Sequence, residues 1–229
     1  MPQHKPFILY KFTSQNLEDS DYLTYVPGFQ TRGDAKRTSH PGKMRAYADP
    51  CLGAFIAPLY GFADRLFECF CDDEEMPETD GIERWLHALT PLQEIPVPAV
   101  TLKQRIIFGI LTAFRWDLPS SWITWACGVL SGRIGYDRFS WLARAATYQE
   151  SGNENNLKTY YAANAAISLA EIPDYECKNE MLRTVHWAAG AMLGTGSKED
   201  CEAYLIACAQ IAIEWDKPQV EEDSYAVHC

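Results

Sequence analysis

Apolar positions recur every three or four residues through most of this 229-residue chain, while the first fifty residues keep no such spacing. FILYKF (7–12) is aromatic and β-branched enough for one short strand, and YLTYV (22–26), closed by Pro27-Gly28, reads as a second. The text around them is dense in Ser, Asp, Gly and Pro. It predicts a hairpin or irregular arm held down by Phe7, Leu9, Tyr22, Tyr25 and Phe29, with no larger sheet.

Helical spacing begins with Phe55, Leu59, Phe62, Leu66 and Phe70, although Pro58 and Gly61 push the expected start toward Tyr60. GIERWLHAL (81–89) reads as a short helix closed by Pro91, and LQEIPVPAV as an extended linker. Thr101 with Gln104 forms a capping box ahead of the stripe Leu102, Ile106, Ile110 and Ala113/Phe114. Ser120 opens a helix that Gly132 stops, and a further helix runs from Ser140 to about Ser151. Residues 155–171 and 177–193 give two longer helices. Ser197 caps the last one, whose stripe is Cys201, Tyr204/Leu205, Cys208, Ile211/Ala212 and Trp215. Short connections imply antiparallel neighbours, and the alanine runs let helix axes approach closely.

The pattern therefore predicts a mainly α fold: an antiparallel helical bundle with a small β or irregular N-terminal arm. Residues 1–60 would form the arm, and residues 61–229 the helical domain with an acidic tail after Pro218.

RIIFGILTAF, SWITWACGVLSGR, WLARAATYQ and YYAANAAISLA, in that order, resemble segments of alanine-rich helical proteins of phages and bacteria, some labelled immunity proteins. The likeness spans roughly residues 101–215 and carries no invariant motif. It implies a helical fold and a role in binding and neutralising another protein, and it brings no catalytic residues with it.

Composition sharpens the class. At 47% hydrophobic residues the chain can fill a core without metals or staples. No apolar run reaches the roughly 20 residues that span a bilayer, and the N-terminal patch is too short for a signal peptide. The expectation is a cytoplasmic protein, away from membranes, whose eight cysteines stay reduced. Net charge is −11, so nucleic acid is not expected as a direct partner. Charge alternates by block: net +2 over residues 1–63, −8 over 64–100, +4 over 101–147 and −9 over 148–229.

Two charged groups stand out as partner surfaces. Asp72, Asp73, Glu74, Glu75, Glu78 and Asp80 place six acids within nine positions, a face for a protein with a basic surface. Arg133, Arg138 and Arg144, interleaved with Tyr136, Phe139 and Trp141, combine residue types that dominate binding hot spots.

The remaining chemistry points away from catalysis. Cys69-Phe70-Cys71 has one intervening residue where zinc pairs usually have two to four, and a helix end would aim the two thiols apart, so no metal is expected there. Cys127, Cys201 and Cys208 read as core residues. Histidines are scarce, His186 reads as a helix-surface or partly satisfied residue, and no phosphate-loop, nucleophile-elbow, dinucleotide or metalloprotease motif occurs. GTGS (194–197) reads as a helix cap. No cofactor is expected. The reading is a non-enzymatic, cytoplasmic protein-binding factor, an inhibitor or immunity-type protein. Its alternatives are an acidic DNA mimic that blocks a nucleic-acid-binding enzyme, and an enzyme with an inter-helical cleft gathering His186 or His87 with a cysteine or carboxylate.

Overall fold

The computed structural model describes residues 7–16, 25, 27–32, 42–60, 63–71, 77–114, 120–133 and 197–215. Among these described residues are seven strands: β1 (Ile8–Thr13), β2 (Thr31–Arg32), β3 (Met44–Ala46), β4 (Arg65–Cys71), β5 (Glu78–Thr79), β6 (Arg84–Leu86) and β7 (Ala88–Ile95). The described residues also form four helices: α1 (Pro50–Ile56), α2 (Leu102–Ala113), α3 (Ser120–Leu130) and α4 (Lys198–Glu214).

The strands form two antiparallel sheets, ordered β1-β4-β7-β2 and β3-β6-β5. Two links curl them together. Tyr10 and Tyr47 exchange both backbone hydrogen bonds, at 2.8 and 2.9 Å, so β1 meets the end of β3. On the far side β6 runs through His87 straight into β7, so one bent stretch of chain serves both sheets.

Two cores result. Leu9, Tyr25, Met44, Phe67, Cys69 and Leu89 belong to one, between the curled strands. Phe12, Leu52, Phe55, Leu66, Phe108 and Leu205 belong to the other, between the sheet and the helices. β1 divides itself by alternation, sending Leu9 to the first core and Phe12 to the second.

The expected antiparallel helical bundle is overturned: the fold mixes α and β, and four strands lie where residues 61–95 were expected to be helix and linker. The cause is burial on both faces. In β4, Leu66 enters the helix-side core while Phe67, Cys69 and Cys71 enter the strand-side core. A strand packed on both faces loses its apolar–polar alternation, and three-to-four spacing then appears by coincidence. The same holds for β6, where Trp85 and Leu86 are consecutive and both buried. Pro91 does not end a helix; it lies within β7, opposite Cys69, beside a register shift between Glu68 and Cys69. The helix expected from about Tyr60 lies earlier, at Pro50–Ile56. There Asp49 Oδ1 accepts from Cys51 N (2.8 Å) and Leu52 N (3.0 Å), and Pro50 fills the first helical position.

The later helices follow their sequence signals. The capping box of α2 forms, with Gln104 N donating to Thr101 Oγ1 (3.2 Å) and Thr101 N donating to Gln104 Oε1 (2.8 Å). Gly132, at φ +70°, stops the chain after α3. Ser197 Oγ accepts from Asp200 N at 3.1 Å to open α4. On α4 the buried face is Cys201, Leu205, Cys208 and Ala212, while Ile211 and Trp215 of the expected stripe are exposed. The helices predicted over 140–151, 155–171 and 177–193 lie outside the described residues. Among the described residues no helix is long and apolar enough to cross a membrane.

Candidate functional site

Several charged side chains among the described residues are engaged with one another. Arg45 and Glu83, both buried, face each other from β3 and the start of β6, with Nη1 and Oε1 3.5 Å apart. Tyr47 Oη donates to the same Glu83 oxygen at 3.2 Å. Lys11 points into the strand-side core, where its Nζ donates to Arg45 O (2.6 Å) and lies 5.0 Å from the Tyr25 ring centroid. Arg84 of β6 grips Glu202 of α4, and Thr79 Oγ1 donates to Glu202 Oε1 at 3.3 Å.

Two residues of the acidic run are described, and both have structural work. Glu78 is exposed on β5 between Lys43 and Lys198, at 3.3 and 3.4 Å. Hydrogen bonds from those two ammonium groups hold its carboxyl below the usual carboxylate range. Asp80 organises the turn before β6: its Oδ1 accepts from Ile82 N (2.9 Å) and Glu83 N (2.8 Å), and its Oδ2 from Trp85 Nε1 (3.3 Å). Asp72, Asp73, Glu74 and Glu75 lie outside the described residues. Of the basic and aromatic group, Arg133 is exposed just past α3, its Nε donating to Ser131 Oγ at 2.9 Å. Tyr136, Arg138, Phe139, Trp141 and Arg144 lie outside the described residues, as does His186.

The thiols need one correction each way. Cys69 and Cys71 sit two apart on a strand, so they share a face and both are buried in the strand-side core, contrary to the expectation that they point apart. Burial pushes the Cys69 thiol up to about 12, despite the opposing influence of Lys11. Cys201 and Cys208 do lie in the core, but Cys127 is exposed. His87 sits at the bend between β6 and β7, not in a helix, with its Nδ1 2.8 Å from Gly42 O. Among the described residues no group of three His, Cys, Asp or Glu side chains could hold a metal ion.

Sequence reading assigned Phe29 to packing in the arm and Leu92 to a linker, but both lie on an apolar surface at the outer edge of the larger sheet. β2 is two residues long and covers only Ala88 and Leu89 of β7. Just beyond, Gly28 N donates to Pro91 O at 2.8 Å, bringing the turn that carries Phe29 against the strand that carries Leu92. Gly28 adopts φ +79°, a conformation that glycine reaches without strain. Phe29 is 70% exposed and Leu92 50% exposed. Leu92 is the extra residue of the bulge, since Glu68 pairs with Gln93 and Cys69 with Pro91. The neighbouring polar side chains are pinned. Gln93 Nε2 donates to Glu68 Oε2 (2.5 Å), Arg65 Nε to Glu94 Oε1 (2.9 Å) and Arg32 Nε to Gln30 Oε1 (3.0 Å). The Pro27-Gly28 turn and Pro91 inside β7 were the available signals.

Comparison with protein-family models, with curated proteins and with solved structures gives no match to this chain.

Proposed function

We propose that this chain is a non-enzymatic protein-binding factor of the inhibitor or immunity type, and that its partner covers the sheet edge at Phe29 and Leu92. The observation that supports this is the exposure of two large apolar side chains on stretches of backbone joined by the Gly28–Pro91 hydrogen bond, with the polar residues Arg32, Gln93 and Glu94 close by along the same two stretches. Apolar groups inside a polar rim are the anatomy of a contact surface. Burying a side chain of this size against a partner is favourable by about 1.5–3 kcal/mol. The rim's own hydrogen bonds hold it in place before a partner arrives, which lowers the cost of association. Of the acidic run, Glu78 is already matched by two lysines and Asp80 is committed to a turn.

Site-directed photocrosslinking tests the reading. A benzophenone side chain in place of Phe29 should yield one discrete adduct in the source cell. The same probe in place of Lys103, exposed on α2, should not yield that adduct. Identical adducts from both positions, or none from position 29, contradict the proposed contact.

A further inference from the structure

Arg105 is the fourth residue of α2, one position past the capping-box Gln104. Its side chain is partly buried, and its Nη1 is buried with no hydrogen-bond partner among the described residues. Desolvation lowers its pKa from the ordinary arginine value. Other cations drawn into the described part of the fold are seated: Lys11 on Arg45 O, Arg45 on Glu83 and Arg84 on Glu202.

A guanidinium nitrogen withdrawn from water without an acceptor, as Arg105 Nη1 is, is destabilising. The local helix does nothing to offset this. The first turn of α2 contains no acid and carries Lys103, so Arg105 stands toward the positive end of the helix dipole. Packing alone would be served as well by methionine, which fills the space of the arginine stem without its charge. A planar fork of donors in a positive, partly dry setting fits one class of ligand group. Oxyanions accept two parallel N–H bonds from it.

We propose that Arg105 is a binding residue for an oxyanion, a carboxylate or phosphate group. The site is separate from the Phe29–Leu92 edge and does not depend on it.

The test uses the purified full chain, heated at fixed ionic strength in sodium chloride, acetate or inorganic phosphate. At tenfold its Kd the preferred oxyanion should raise the wild-type Tm by about 4 °C over chloride. Arg105→Met should match or exceed the wild-type Tm in chloride and gain nothing from either oxyanion. A gain with acetate alone assigns a carboxylate ligand, with phosphate alone a phosphate ligand, and with both the shared chemistry. No gain in the wild type, an equal gain in Arg105→Met, or a variant less stable than wild type in chloride overturns the proposal. If Arg105→Met does not fold, the arginine Nε–Hε signals of the ¹⁵N-labelled wild-type protein decide. A saturable shift of the Arg105 signal supports the site, and an unchanged signal overturns it.

Discussion

Arg84 and Glu202, 118 positions apart, form a two-pronged ion pair that fastens the last described helix to the smaller sheet. One prong joins Arg84 Nε to Glu202 Oε1 at 2.8 Å, and the other joins Nη2 to Oε2. Arg84 Nη1 also donates to Pro77 O at 3.0 Å. Both side chains are largely withdrawn from water. A buried pair of this kind adds little over an apolar pair of similar size, but removing one partner strands the other charge. Arg84→Met should therefore cost about 3 kcal/mol of unfolding free energy. Arg84→Met with Glu202→Met should recover most of it. Urea titration of the four proteins of this cycle checks the claim; additive losses would mean that the two residues are not coupled.

Gly53 in α1 lies against the ring of Phe12 in β1. A Cβ at position 53 would stand 2.2 Å from Phe12 Cε2. Helix propensity alone would favour alanine by about 1 kcal/mol. The clash outweighs it, because Phe12 and α1 are both buried in the same core and the ring has little room to turn. Gly53→Ala should lower stability by about 1–3 kcal/mol, and Phe12→Leu in the same protein should relieve part of that loss. Thermal or urea unfolding measures both.

Cys69 makes the alkaline limb of the stability profile specific. Its thiol is pushed up to about 12 from 9.0 in the folded protein. Below pH 9 the thiol is neutral in folded and unfolded chains alike, and its contribution is constant. Between 9 and 12 the unfolded chain releases the proton and the folded chain retains it, so stability falls as pH rises. The slope from this group approaches about 1.4 kcal/mol per pH unit. Cys69→Ala should be less stable at neutral pH and should lose that part of the slope. Exposed Cys127 should react with a thiol reagent well before Cys69 does.

Elements whose signals are local were legible in the sequence. The Thr101–Gln104 box, the Gly132 stop and the Ser197 cap each act within four residues, and each helix forms where they place it. β1 was legible because its neighbours in sequence do not mimic a helix. β4, β6 and β7 were not. Their residues serve two cores at once, and pairing partners such as Phe67 and Glu94 come from distant segments. The edge surface was missed for a related reason. Phe29 reads as a residue holding down an arm and Leu92 as part of a linker until β2 proves too short to cover β7. Of the acidic run, sequence alone marks the charges but not their partners; Lys43 and Lys198 reach Glu78 from 35 and 120 positions away.

The measurement that bears most directly on the proposed function is a calorimetric titration of the purified partner, first identified by crosslinking at position 29. Three forms of the chain are compared: wild type, Phe29→Asp with Leu92→Asp, and Asp72→Asn with Asp73→Asn, Glu74→Gln and Glu75→Gln. An apolar contact predicts that the edge variant loses about 100-fold or more in affinity, while the acid-neutralised variant stays within about threefold of wild type. Full affinity in the edge variant, with binding lost on neutralising the acids, would contradict it.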